Sequence, residues 1–205
     1  ALGAIAIHRD TPAFARLSLA HALSVAAACQ PVEVGGGARY HIWDFLVRRF
    51  ERRLLDEGHP IDRVRAVLIH ADRPRHADLL LGQLTELSKR DDFRRLAAAL
   101  KRARRIVPTG DHPPVDPQLL THPAERRLHE AVARTRSALT SPADLAQLLA
   151  AGGDLPSAID DLFTSVIVMA HDPQVRAARL ALLASAAALG DDVLNWRELN
   201  CRTGV

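Results

Sequence analysis

The chain has 205 residues, 48% of them hydrophobic and only 4% aromatic, enough apolar material to bury a core in one domain or two small packed units. Its formal charge is +3, and 25 of the 27 basic side chains are Arg, whose planar fork suits phosphate, although a coding bias towards Ala and Arg would give the same composition. Cys29 and Cys201 have no CxxC partner or His at zinc-finger spacing, no apolar run reaches the roughly eighteen residues of a membrane span, and ALGAIAIHRD lacks a basic start; a disulfide framework, structural zinc site, membrane span and signal peptide are all unsupported, which fits a cytoplasmic, reducing setting.

Ala, Leu and Arg dominate, and β-branched residues are sparse outside Val166–Val168, so helices are expected throughout. Thr11-Pro12 opens a helix carrying Phe14, Leu17, Leu19 and Leu23. The glycines at 35–37 then break the chain; with no GK[ST] after them they form no phosphate loop and predict a flexible joint between packed units. The next helix, about His41 to Glu57, places Ile42, Phe45, Leu46, Phe50 and Leu54 on one apolar stripe, and Gly58 suits the left-handed residue that ends it. On its other faces Arg48 with Arg52, and Arg49 with Arg53, form two adjacent basic rows, with only Glu51, Asp56 and Glu57 nearby.

Helices follow over about 60–71, 74–89 and 91–107, the last being the most basic. In it Phe93, Leu96, Ala97, Leu100 and Val107 can face a core, while Arg94, Lys101 and Arg105 share an outer line beside Arg95 and Arg102. Such a stripe can neutralise several phosphates and release their counterions; equally, it can be a solvated face paired with Asp91, Asp92 and neighbouring helices. Residues 108–123 read as a Pro-, Asp- and His-rich loop. Pro123 opens a helix with Leu128, Val132, Thr135 and Leu139 inward, Ser141-Pro142 starts another, and Asp154 can cap a third carrying Ile159, Leu162, Phe163, Val166 and Met169, the methionine as a core gap-filler. A final helix runs from Pro173 towards Leu189, with Gly190 as its stop and Trp196 and Leu199 folding back as a closing segment.

His171-Asp172 could suggest a metal phosphohydrolase, but no second His/Asp cluster accompanies it. Asp172 before Pro173 is a helix start: the carboxylate accepts a free backbone N–H, and Pro lacks the N–H that the first helical position leaves unpaired. GxSxG, HExxH, GxGxxG and P-loop patterns are absent, and Cys29 and Cys201 have no identifiable base, so binding is the better expectation than catalysis on this chain.

Within LFTSVIVMAHDPQVRAARLALL, the residues Val166, Val168, Met169, Asp172, Pro173, Arg176, Arg179, Leu180, Leu182 and Leu183 resemble the C-terminal signature of the β subunit of bacterial glycyl-tRNA synthetase. Phe45 to Leu68 is similar to a second segment of that family through Arg49, Gly58, Asp62, Ala66 and Val67. Lys101 to Val107 resembles its K-R-x-x-N-I, and Ala1 to Ile7 its ALGVIRI, which there follows an Arg-rich helix, so a preceding portion is expected. The chain departs at Ala6 (Arg expected), Arg105 (Asn), Thr164 (Asp) and Ala178 (Asn), losing or exchanging polar groups while keeping the apolar frame.

The resemblance implies an all-α helical bundle of the class I synthetase anticodon-binding type, with residues 1–34 ending a preceding helical region and 35–205 forming the anticodon-binding-like domain. It implies a chain that grips tRNA and holds no catalytic centre, cofactor or metal, while an α subunit in a hetero-oligomer activates glycine with ATP and Mg. Candidate tRNA-binding residues are Arg48, Arg49, Arg52, Arg94, Lys101, Arg102, Arg105, Arg176 and Arg179; the last two could instead hold the domain together through carboxylates or helix ends. The alternative is a degenerate relative that serves as a helical protein-interaction domain.

Overall fold

The helix-forming composition is realised throughout the computed structural model, which describes residues 17–199: all regular structure among them is helical. The chain divides into two compact units, Ala1–Leu84 and Thr85–Val205. The expected helix start at Thr11-Pro12, Phe14, the Ala1 to Ile7 segment and Cys201 lie outside the described residues.

In the first unit, α1 (Leu19–Ala28) is capped by Ser18, whose hydroxyl accepts from His21 N at 3.0 Å and donates to Asp72 at 2.9 Å. The same carboxylate accepts from Ala20 N at 2.7 Å, so Asp72 ties the start of α1 to a loop some fifty residues on. α2 (Gly36–Asp56) begins five residues before the expected His41: Gly35 is its N-cap and Gly36 and Gly37 form its first turn rather than a joint. Glycine is tolerated there because first-turn N–H groups have no helical partner to lose. Gly58, at φ +88°, ends α2 as expected, with Gly58 N donating to Leu55 O at 3.0 Å and His59 N to Leu54 O at 3.3 Å, a Schellman closure.

The apolar stripe of α2 is buried only in its second half. Phe50 and Leu54 are fully enclosed, but Ile42 is 41% and Phe45 60% exposed, so two of the expected core positions are surface positions. Helical periodicity marks a face, and tertiary partners decide how far along it burial runs. α3 (Ile61–Val67) continues into a 3-10 turn, Leu68–His70, and α4 (Pro74–Leu87) follows; Val64, Val67 and Leu80 complete this unit's core.

In the second unit, α5 (Asp91–Ile106), α6 (Pro123–Ala138), α8 (Leu155–Ser165) and α9 (Pro173–Asp191) form a bundle in which α8 and α9 each pack against both α5 and α6. The short α7 (Leu145–Ala151) lies against α5 and α6. Leu96, Leu100, Leu128, Leu145, Leu155, Ile159, Leu182 and Leu183 fill the centre, each contributing roughly 1.5–3 kcal/mol through burial. Thr135 is buried as expected, its hydroxyl donating to Ala131 O at 2.8 Å, whereas Leu139 is only half-buried.

Other helix ends also differ from the sequence expectation. α7 starts at Leu145 with Asp144 as cap, because the Asp144 carboxylate reaches Gln147 N at 2.8 Å; Ser141-Pro142 precedes it in a turn. Asp154 precedes α8 but makes no capping bond, since its carboxylate pairs with Arg134 at 3.0 Å. α8 ends at Ser165, and Val166 is extended (φ −137°, ψ 149°), so side-chain direction now alternates: Val168 is buried, while Ile167 and Met169 are 77% and 60% exposed. Met169 therefore fills no core gap.

α9 begins as expected, with Asp172 accepting from Gln174 N at 2.8 Å and Pro173 in its first turn. It runs through Gly190 to Asp191, so Gly190 is no stop. A Cβ there would sit 2.6 Å from Trp196 Nε1, so the glycine exists to admit the indole, which donates to Gly190 O at 2.7 Å and stacks on Phe93 at 6.0 Å. Trp196 and Leu199 do fold back and are buried. Among the described residues no helix is long and apolar enough to cross a membrane.

Candidate nucleic-acid interface

α5 is strongly amphipathic. Phe93, Leu96, Ala97, Leu100 and Ala103 are buried, and Arg94, Arg95, Arg102 and Arg105 project from the opposite side. Asp91 and Asp92 in its first turn and Arg104 and Arg105 in its last complement the helix dipole. Arg94 pairs with Asp91, and Arg90 grips Asp92 through Nε at 3.0 Å and Nη2 at 2.5 Å; these contacts hold both carboxyls below the usual carboxylate range.

The stripe expected from sequence is regrouped by these contacts. Lys101 is half-buried and its Nζ donates to Leu199 O, so it fastens the closing segment. Arg102 bonds Asp160 at 2.9 Å and lies 4.1 Å over the Phe163 ring, yet half of its side chain stays exposed. Arg105 and Arg95 are exposed and make no hydrogen bond or ion pair with the described residues. Spacings of seven and three residues place Arg95, Arg102 and Arg105 on one line of the helix. Arg94 and Arg102 are thus paired, as a solvated face would have them, and Arg95 and Arg105 are open among the described residues.

In the first unit, Arg48 and Arg52 bond Asp44 at 2.8 Å and Asp56 at 2.9 Å, one helical turn away, and stay 76% and 72% exposed. Arg49 is exposed with no such partner among the described residues. Exposed pairs of this kind are worth about 0–1 kcal/mol, so a phosphate can take the guanidinium over at little cost. Arg53 differs: it binds Asp78 at 2.6 Å and Glu57 at 3.0 Å and covers the Phe50 ring, an internal clamp.

The arginines after the Asp172 cap point inward to other work. Arg179 Nε donates to Glu125 at 2.6 Å and its Nη1 to Ile167 O at 2.7 Å; Arg176 Nη1 donates to Ala170 O at 3.1 Å. Glu125 is 1% exposed and also accepts from His122 N at 2.8 Å in the capping box of α6. One buried carboxylate therefore joins α6, α9 and the loop before α9. Of the two roles sequence left open for Arg176 and Arg179, these bonds perform the holding one.

Sequence reasoning did not single out Glu125, Arg104 or Arg197. The signal for Glu125 was its place three residues into a Pro-initiated helix, obscured because the cap is a His, accepting from Ala124 N at 3.2 Å. Arg104 is 14% exposed, bonded to Asp191 and Ala187 O; burial, with Arg197 nearby, pushes its guanidinium below the ordinary value.

No protein-family model matches the chain. It is 35% identical over 162 residues to the glycine–tRNA ligase β subunit of Geotalea daltonii, a match covering 77% of the chain and 23% of that relative. It is also 34% identical over 163 residues to the β subunit of Citrifermentans bemidjiense, covering 78% of the chain and 24% of the relative. The chain is a homologue of glycine–tRNA ligase β subunits. It spans about a quarter of the length of these relatives. A further match, 29% over 177 residues, is to the chloroplastic/mitochondrial glycine–tRNA ligase 2 of Arabidopsis thaliana, covering 84% of the chain and 17% of that protein. The β-subunit likeness and the all-helical fold agree with the expectation drawn from the signature residues.

Proposed function

We propose that this chain is a C-terminal, anticodon-side tRNA-binding module of a glycine–tRNA ligase β subunit, supporting ATP-dependent glycylation of tRNA carried out with an α subunit. The homology carries this reading, and the open arginine row of α5 gives it a physical means. In this reading the anticodon-binding-like region over 35–205 comprises α2 to α9, while ATP and Mg act in the α subunit. The α5 row through Arg95, Arg102 and Arg105 and the α2 rows through Arg48, Arg49 and Arg52 meet phosphates; Arg94 joins once Asp91 releases it. Each phosphate neutralised adds roughly 0.7–0.9 to the salt slope of binding.

A titration of tRNA(Gly) by filter binding at several salt concentrations tests the proposal. The expected result is an affinity well above that of an unrelated basic protein of similar charge, falling steeply with salt; equal affinities would refute it. The second reading, a helical protein-interaction domain, is favoured by the solvent-facing Tyr40 and Phe45 of α2, 66% and 60% exposed, and by the loss of the expected Asn at buried Ala178. It predicts no preference for tRNA.

A further inference from the structure

Within the second unit, the C-terminal turn of α5, the loop that follows it, α6 and α9 enclose a cleft of about 710 Å³, inside the roughly 300–1,000 Å³ range of small-ligand sites. Its space comes from sequence: α9 presents Ala181, Ala184 and Ala188 along one face, where longer side chains would fill the gap. Its charge comes from three different places in the chain. Arg104 enters from α5, Arg136 from α6 and Arg197 from the closing segment. Against these guanidiniums stand two carboxylates, Asp191, already bonded to Arg104, and Asp111 of the loop.

Arg104 carries the argument furthest. Its side chain is 14% exposed, and its Nη1 is buried without a hydrogen-bond partner among the described residues. A buried charged donor left unsatisfied is costly, and an anionic oxygen relieves that cost with a short, charge-assisted bond. Arg197 is exposed and makes no side-chain ion pair with the described residues, so it is available to the same anion. Among the described residues the Arg136 side chain makes one hydrogen bond, to Ser185 O at 3.4 Å. Between these cations Ala184, Ala188, Pro113 and Pro114 offer flat apolar contact, and His112 and His129 line the same walls.

We propose that this cleft binds one nucleoside monophosphate unit, its phosphate held by Arg104, Arg136 and Arg197 and its base and sugar lying on the Ala184/Ala188 face of α9. The unit is either a free nucleotide or an unstacked nucleotide of an RNA strand; the second form rests on the tRNA reading above, the first does not. Single-stranded nucleotides can be splayed into such clefts, where duplex ones cannot.

The test uses the full chain with two variants, Ala184→Trp, which fills the cleft without changing charge, and Arg197→Ala, which removes an exposed side chain and keeps the fold. Each is titrated calorimetrically with adenosine 5′-monophosphate, with adenosine as the phosphate-free control, and by filter binding with a tRNA(Gly) transcript. Saturable heat with the monophosphate but not with adenosine, lost in both variants, establishes a free-nucleotide site. A fall in tRNA affinity of about tenfold or more in both variants, the loss of one charge-assisted phosphate contact, with no heat from the monophosphate, establishes an RNA-borne one. No heat, together with tRNA affinities equal to that of the parent chain, overturns the cleft and leaves the tRNA reading intact. Monophosphate binding by a chain that does not bind tRNA overturns that reading and leaves the cleft.

Discussion

Two groups of arginines in the second unit, the row on α5 and the pair on α9, share a side chain and a sequence context but not an environment. Arg95 and Arg105 stand in solvent with no hydrogen bond or ion pair to the described residues, while Arg179 is 14% exposed and locked onto a carboxylate that is 1% exposed. The row can exchange water or a weak surface pair for phosphate. The α9 pair already donates to Glu125, Ile167 O and Ala170 O. Basic composition therefore says little about where RNA would bind; burial sorts the guanidiniums into those that fold the chain and those free to meet a ligand.

The sharpest way to break this division is to remove Arg179. Arg179→Ala leaves Glu125 buried without its cation and should destabilise the chain by about 3–5 kcal/mol in urea unfolding. Arg179→Lys should recover only part of that loss, because an ammonium cannot span the carboxylate and the Ile167 carbonyl as the fork does. A loss within 0.5 kcal/mol, the range of ordinary surface changes, would move Arg179 to the surface class.

Gly190→Ala tests the packing at the other end of α9. Its methyl would meet Trp196 Nε1 at 2.6 Å and Leu100 at 3.0 Å, both in the core, so about 1–3 kcal/mol should be lost, with a changed near-ultraviolet signal from Trp196. Asp172→Ala should cost about 1 kcal/mol, the usual worth of a helix cap, read from the same unfolding curves.

The smallest effect is electrostatic. Asp91 and Asp92 are held below the usual carboxylate range by Arg94 and Arg90, so their contribution is present above the ordinary Asp value and lost as pH falls through their lowered ones. Because both are fully exposed, stability measured across that acid range should show a slope that molar salt removes. Arg94→Ala should abolish the Asp91 part, so its small loss of stability should be seen at neutral pH and vanish in acid, where the parent has lost the same contribution.

Local chemistry made much of the fold legible. The Asp172-Pro173 start of α9 and the Gly58 end of α2 depend on residues adjacent in sequence, and both form as their side chains dictate. Trp196 was readable as a closing residue because a lone indole after an apolar helix has little else to do. Val166 and Met169 misled because α8 stops at Ser165, and the period changes from 3.6 to 2 with no Gly or Pro to mark it. Ile42 and Phe45 misled because periodicity does not reveal where a helix outruns its neighbours.

In the candidate site, the exposed arginines of α5 followed from amphipathicity, but the fate of Lys101 depended on Leu199, far along the chain. Arg95 lay beside the expected line and proves more open than Arg94, whose partner Asp91 sits one turn back. Arg104 and Arg197 come together only in three dimensions, and no spacing in the sequence relates them.

The central claim is most directly tested by the salt dependence of tRNA(Gly) binding for the parent chain and an Arg95→Ala/Arg105→Ala double variant. The division by burial predicts a slope lower by about 1.5–2 in the variant, with weaker binding and unchanged urea unfolding. Equal slopes and affinities for the two proteins would contradict it.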